Sequence, residues 1–173
     1  MSCVIGLAHN GRIYFASDGF ATTEDGERRP IVCNKIFRNK DYLIGYTGSV
    51  RTGQIIEPHD FDAPDKIEDL AEAMREHLYK KGCVATAEGG ISMQTSNFLI
   101  AYKDKLYEIL MDFQLNEVLG SYTAIGSGAA YAMGAMYVLS RSKIDPLNQL
   151  ELALDAASFF HTSVGPPYQF EYI

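Results

Sequence analysis

Four short runs, SCVIGLA, RIYFAS, IVCNKIF and DYLIGYT, follow one another before any helical period begins. Each is apolar at nearly every position and rich in β-branched or aromatic residues, which marks strands rather than helices. A strand with one wet face alternates apolar and polar residues. These runs do not alternate, so both of their faces need cover. The chain must therefore build a sheet that is covered on both sides or stacked on another sheet. His9-Asn10-Gly11 is a tight-turn signal that makes a hairpin of the first pair, and the second pair joins around Asn39-Lys40.

The rest of the chain supplies the cover. The polar stretch from Thr22 to Arg29 reads as a loop, and Gly48 ends the fourth run, with a helix expected to start near Ser49. After the loop EPHDFDAPD, Asp65 stands three residues before Glu68 in a capping-box arrangement. The helix behind it carries Ile67, Leu70, Met74 and Leu78 on one face. KKGCVATAEGG reads as a connector, NFLIAY and LYEIL as a hairpin across Lys103-Asp104-Lys105, and YTAIGSG as a further strand. AAYAMGAMYVL is apolar all round, which predicts a buried helix. Asp145-Pro146 offers an N-cap and an N1 proline for a last helix with Leu147, Leu150, Leu154 and Ala157 inward, and GPPYQFEYI closes as loop and strand. Blocks of strands followed by blocks of helices, with no internal repeat, predict one layered α+β domain over residues 1–173 rather than a doubly wound sheet.

Composition removes several function classes. A net charge of −7 is the wrong sign for a nucleic-acid binder, which needs a basic stripe to neutralise phosphates. Arg28, Arg29, Lys35, Arg38 and Lys40 come nearest to one, and they read as a solvated strand edge. The longest apolar stretch, Ala129 to Leu139, is too short to span a bilayer, and no charged leader precedes the first apolar run. Three cysteines (Cys3, Cys33, Cys83) lack zinc spacing and fit reduced thiols. The expectation is a cytoplasmic protein that binds neither nucleic acid nor membrane.

Familiar catalytic motifs are missing: there is no phosphate loop in its strand-helix context, no GxSxG elbow and no His-Glu-x-x-His. His59 lies between acidic residues without a second imidazole and reads as a solvated loop residue; His77 falls on the polar side of its helix. With no His-carboxylate set, a nucleophile needs another base. An α-amine, with an ordinary pKa of about 7.7–8.0, can serve. Serine is small enough to permit methionine removal, after which Ser2 would carry hydroxyl and amine together. A lysine nearby would favour the alkoxide, an aspartate would hold that lysine, and the N–H of Gly48 could face an oxyanion.

Each residue also has a plain reading. Ser2 is a common second residue, Asp18 in SDG an ordinary turn residue, and Ser127 a helix N-cap. Lys35 in an apolar strand either points out from an edge or is buried with a partner. Tyr46 either lines a pocket or fills the core, and Cys3 reads as a buried structural thiol.

Together these residues resemble the N-terminal-nucleophile hydrolases of the proteasome β-subunit type, including HslV and shorter phage or bacterial proteasome-like proteins. Mature chains of that family open with threonine and a strand, then reach an aspartate, a small loop and a threonine. Ser2, Asp18-Gly19 and Thr22 match that pattern. The family's lysine matches Lys35 in NKIF, its oxyanion glycine Gly48 in GYTGSV, and its second serine Ser127 in the intact IGSG. The closing GPPYQFEYI is similar to the end of the phage-type relatives.

The resemblance implies a four-layer αββα sandwich and amide-bond hydrolysis through an acyl-ester on Ser2, with Asp18, Lys35, Ser127 and Gly48 as its catalytic partners. It implies that Thr22 and Gly48 align the substrate main chain, with Tyr46 as a pocket residue. It further implies a peptide or unfolded-protein substrate, a homo-oligomeric ring around a chamber, an ATP-dependent unfoldase as a possible partner, and no cofactor on this chain. Three departures stand out. Serine replaces threonine; His161, with Ser163 nearby, takes the place of an aspartate near the end of the last helix; and the chemistry requires removal of Met1. Two rival readings are a silent ring or scaffold protein and a non-peptidase amidohydrolase with the same nucleophile.

Overall fold

The first hairpin forms as read, with β1 (Cys3–His9) and β2 (Arg12–Ser17) joined at Asn10-Gly11. The computed structural model describes residues 2–23, 27–29, 34–61, 66–86 and 90–173. Next come β3 (Ala21–Thr22), β4 (Arg28–Arg29), β5 (Ile36–Asn39) and β6 (Tyr42–Gly48), then helices α1 (Val50–Ile56) and α2 (Ile67–Lys80). β7 (Ala85–Thr86), β8 (Ser92–Met93), β9 (Ser96–Tyr102), β10 (Lys105–Ile109), β11 (Leu115–Glu117) and β12 (Tyr122–Gly126) follow. Helices α3 (Ala129–Leu139) and α4 (Pro146–Phe160) lead to the last strand, β13 (Gln169–Tyr172).

The long strands form two antiparallel sheets. One has the order β12-β1-β2-β13, the other β11-β10-β9-β6-β5. Period-two alternation then explains why the runs are apolar throughout. In β1, Cys3, Ile5 and Leu7 pack against Ala132 and Met136 of α3 and Leu150, Ala153 and Leu154 of α4. Val4 points the other way, onto Leu43, Leu99, Ala101 and Leu106 of the opposite sheet. In β6, Tyr42, Ile44 and Tyr46 turn outward to meet Ile56 of α1 and Leu70, Met74 and Leu78 of α2. There are thus three apolar layers, helix–sheet, sheet–sheet and sheet–helix, and the architecture is the αββα sandwich expected. Both faces of the central strands are dry, so neither can carry a polar stripe.

Several local readings change. The loop from Thr22 to Arg29 contains a short ribbon, with Ala21 opposite Arg29 and Thr22 opposite Arg28. The connector after α2 likewise folds into a ribbon, β7 with β8. β11 has no counterpart in the sequence reading; its three residues are too few to show a period. The Asp65 cap, Met1, Cys33 and Asp62 lie outside the described residues. Helix α2 begins with Lys66 as N-cap, and Ile67, Leu70, Met74 and Leu78 are all buried as expected. Asp145 caps α4 by accepting from the Asn148 amide at 3.2 Å, with Pro146 next.

Helix α3 is not buried all round. Ala132 and Met136 are its buried residues, whereas Tyr131, Tyr137 and Val138 are exposed. It lies in an outer layer, where the chain covers only the side facing β1 and α4. Leu147 of α4 is exposed for the same reason. No helix among the described residues is long and apolar enough to cross a membrane.

His77 is half-buried rather than solvated. Its ring stacks on His59 at a centroid distance of 3.7 Å, and Phe61 meets His59 edge-on at 4.5 Å. Burial, followed by the charges of His59, Lys81 and Lys80, lowers the His77 pKa, against a raising backbone hydrogen bond at Ile55. The folded chain thus resists a proton that the unfolded chain accepts as pH falls through about 6.5, so this contribution to stability is present above that value and lost below it. The thermal midpoint should fall between about pH 7.5 and about pH 5.5 by less in His77→Gln than in the parent. Equal falls would remove His77 as the cause.

Candidate active site

Asp18 follows directly on β2, and Lys35 directly precedes β5, so the two come from different sheets. They nevertheless meet: Lys35 Nζ lies 2.7 Å from Asp18 Oδ2, with side chains 3% and 0% exposed. Of the two sequence readings of Lys35, the buried and paired one is correct. The same carboxylate accepts from the backbone N–H of Cys3 at 2.8 Å and of Phe20 at 3.3 Å. The ammonium group also donates to the carbonyl of Phe20. A return bond from Asp18 N to Cys3 O, 3.2 Å, fastens Asp18 to the residue next to Ser2.

This arrangement sets the electrostatics. Burial pushes the Asp18 carboxyl above its ordinary pKa, while the charge of Lys35 and the hydrogen bonds from Lys35, Cys3 and Phe20 pull it down. Burial, with Asp18 adding to it against the lowering pull of Lys35, raises the Cys3 thiol to about 12. At neutral pH the thiol stays protonated and inert, in keeping with the structural reading.

Ser2 is 4% exposed and enters β1 from the same corner. Its carbonyl accepts from Gly128 N at 3.2 Å and from Ser127 Oγ at 3.4 Å. Ser127 therefore bonds to Ser2, and the N-cap of α3 is Gly128 instead. A Cβ at Gly126 would lie 2.3 Å from the Ser2 carbonyl oxygen and 2.9 Å from the Thr47 methyl. Only glycine lets those two segments converge, and this brings the end of β6 up to Ser2.

Gly48 ends β6 with φ of 105°, where side chains are strained, and a Cβ there would come within 2.1 Å of the Thr95 carbonyl oxygen. The turn continues into Ser49, whose N–H donates to Ser96 Oγ at 3.1 Å. Beside this turn lies a cavity of about 290 Å³, lined among others by Ser49, Thr52, Cys83, Val84, Met93 and Thr95. No sequence signal marks it, because its walls combine the turn into α1 with the connector after α2 and the segment around Met93 and Thr95.

The remaining candidates are more dispersed. Thr22 is half-buried in the β3–β4 ribbon. Tyr46 is 3% exposed, its ring against Gly53 and near Phe37 and Phe98, so of its two readings the core one describes its position. His161 ends α4, accepts from Ser163 N at 3.2 Å through Nδ1, and meets Tyr131 edge-on. Ser163 is fully buried, Val164 shares a core with Cys3, and Gly165 O accepts from Gly19 N at 3.2 Å. The turn after α4 is thus drawn against the segments that flank Ser2 and Asp18. Gln169, absent from the sequence reading, bonds to the backbone of Lys35 and Ile36.

Two stacked antiparallel sheets between helical layers make up the fold of the proteasome-like N-terminal-nucleophile hydrolases. The chain is similar over 99% of its length to Thiobacillus denitrificans BPH, a bacterial proteasome homologue, at 25% identity, 97% of that chain and a TM-score of 0.78. The same protein in complex with epoxomicin matches at 26% identity and the same TM-score. HslV from Trypanosoma brucei shares the fold at 16% identity, 98% of each chain and a TM-score of 0.76. An Anbu mutant from a Hyphomicrobium species shares it at 13% identity, over 98% of this chain and 80% of that one, with a TM-score of 0.72. No family model and no curated protein matches the sequence.

The ion pair has a stability signature. Lys35→Met leaves the Asp18 carboxylate buried without its cation and should cost about 3–5 kcal/mol in urea denaturation. Adding Asp18→Asn should recover much of that loss. Fully additive losses would show that the two side chains act independently.

Proposed function

We propose that the chain is an N-terminal-nucleophile peptidase acting through Ser2 after removal of Met1. The observation that carries this reading is the buried Lys35–Asp18 pair, fastened by Asp18 to the residue next to Ser2. A lysine so deeply buried serves no solvation purpose. Its charge is worth most where an oxygen anion forms nearby.

In this mechanism the α-amine of Ser2 takes the proton from Oγ, directly or through a water, and Oγ attacks the substrate carbonyl. Lys35, oriented by Asp18 and the Phe20 carbonyl, stabilises the oxygen anion. The Gly48 N–H receives the tetrahedral oxyanion; its collapse breaks the C–N bond, and the departing amine takes the proton held by the α-ammonium. Water then hydrolyses the acyl-ester left on Ser2, returning Oγ–H. Ser127 holds the Ser2 carbonyl. Thr22 and Gly48 align the substrate main chain, the cavity beside Ser49 takes a substrate side chain, and Tyr46 supports the pocket from behind. His161 and Ser163 order the turn that backs the nucleophile. No step calls for a cofactor.

The likeness to a bacterial proteasome homologue and to HslV supports a homo-oligomeric ring in the cytoplasm, fed with peptides or with unfolded chains from an ATP-dependent unfoldase.

Intact mass and labelling test the reading together. The purified protein should lack about 131 Da, one methionine residue, as a free α-amine base requires. It should hydrolyse fluorogenic peptides and gain the mass of epoxomicin at Ser2, and Ser2→Ala should do neither. Retained Met1 with no hydrolysis would favour the silent scaffold. Hydrolysis of small amides but of no peptide would favour the amidohydrolase.

A further inference from the structure

Because Lys35 and Asp18 belong to different sheets, their 2.7 Å separation is an inter-sheet distance. Local chain geometry cannot set it; something must fix the edge of one sheet against the edge of the other. β13 lies at that seam. It pairs with β2, placing Gln169 opposite Ser17, the residue before Asp18. From there the Gln169 side chain crosses to the other sheet, where its Oε1 accepts from Lys35 N at 3.1 Å and its Nε2 donates to the carbonyl of Ile36 at 2.7 Å.

One side-chain amide thus does for β5 what a neighbouring strand would do with its backbone. The other side of Lys35 is held by β6, since Tyr46 N donates to the Lys35 carbonyl at 2.9 Å. A second link along the seam runs from the Arg38 guanidinium, on the exposed side of β5, to the Tyr172 carbonyl. It joins the same two strands but lies away from the ion pair.

We propose that Gln169 is a positioning residue, which clamps the Lys35 backbone to the Asp18 strand and so sets where the lysine ammonium sits beside Ser2. The chemistry fits glutamine alone. Asparagine is a methylene too short to reach both groups, methionine keeps the volume without the bonds, and an ionised glutamate lacks the donor for Ile36. The consequence for turnover rests on the peptidase reading; the clamp itself does not.

The test compares Gln169→Met, Gln169→Asn, Arg38→Ala and Lys35→Ala on a fluorogenic peptide, together with thermal midpoints and hydrogen exchange at the Lys35 amide. A displaced catalytic group costs turnover rather than binding, so Gln169→Met should lower kcat about 10- to 100-fold with KM within about twofold. Gln169→Asn should show the same split, and both should speed exchange of the Lys35 amide. Arg38→Ala should lower the thermal midpoint at least as much while leaving kcat unchanged. Parental kcat in both Gln169 variants, with Lys35→Ala inactive, would overturn the proposal. So would an equal kcat loss in Arg38→Ala, because general loosening of the seam would then explain the effect. If Lys35→Ala itself turns over normally, the peptidase reading fails; faster Lys35 exchange in Gln169→Met would still support the clamp, and unchanged exchange would overturn it.

Discussion

The buried Lys35–Asp18 pair is the interaction around which the site is organised. Two charges removed from water carry a desolvation cost of several kcal/mol each, and only tight geometry with further hydrogen bonds offsets it. Here the carboxylate satisfies an ammonium group and two backbone amides, and the ammonium also meets the Phe20 carbonyl. Because the partners come from different sheets, the pair demands a fixed stacking of those sheets. The apolar layer between them, with Val4, Phe15, Leu43, Leu99 and Leu106, supplies the bulk of that stacking. Apolar packing is non-directional, though, and tolerates small slips. Directional bonds from Gln169 to Lys35 and Ile36 remove that freedom beside the ion pair, while the Arg38 link ties the same two strands farther along.

The sandwich and the site are therefore one problem. Ser2 enters through a strand whose odd residues face helices and whose even residues face the other sheet, so its carbonyl is held by the start of α3 while its neighbour binds Asp18. Gly126 and Gly48 allow three chain segments to converge on that corner where any side chain would collide with a backbone oxygen. A pocket opens beside it because the turn into α1 is propped by Ser96 and leaves room towards the ribbon after α2.

Much of this was legible in the residue order. The both-faces-apolar strands could only be central strands of stacked, covered sheets, and the Asp145-Pro146 start of the last helix is a local signal that needs no partner. Ser2, Asp18, Lys35, Gly48 and Ser127 stand out by their resemblance to a family pattern, and the structure sets Lys35 against Asp18, Asp18 against Cys3 and Ser127 against the Ser2 carbonyl. Other readings failed where the answer depended on what lies opposite. The all-round apolar character of α3 says that the helix prefers to be covered, but not that this chain covers it, and Tyr131, Tyr137 and Val138 remain exposed. His77 sits on the polar side of its own helix and is still half-buried, because His59 comes from a loop to stack on it. Tyr46 suits pocket and core equally by sequence, and Gly53 of the next helix, packed against its ring, places it in the core.

Local chemistry determined what the sequence could decide alone: turns, caps, strand and helix periods, and the presence of a serine, a lysine, an aspartate and a glycine suited to one kind of catalysis. These follow from interactions within a few residues. Tertiary structure alone decided whether Lys35 was buried or at an edge, whether Ser127 capped a helix or held Ser2, and that Gln169, 134 residues from Lys35, would grip its backbone. Those outcomes depend on which two sheet edges meet, and that distance is set by the packed layers as a whole.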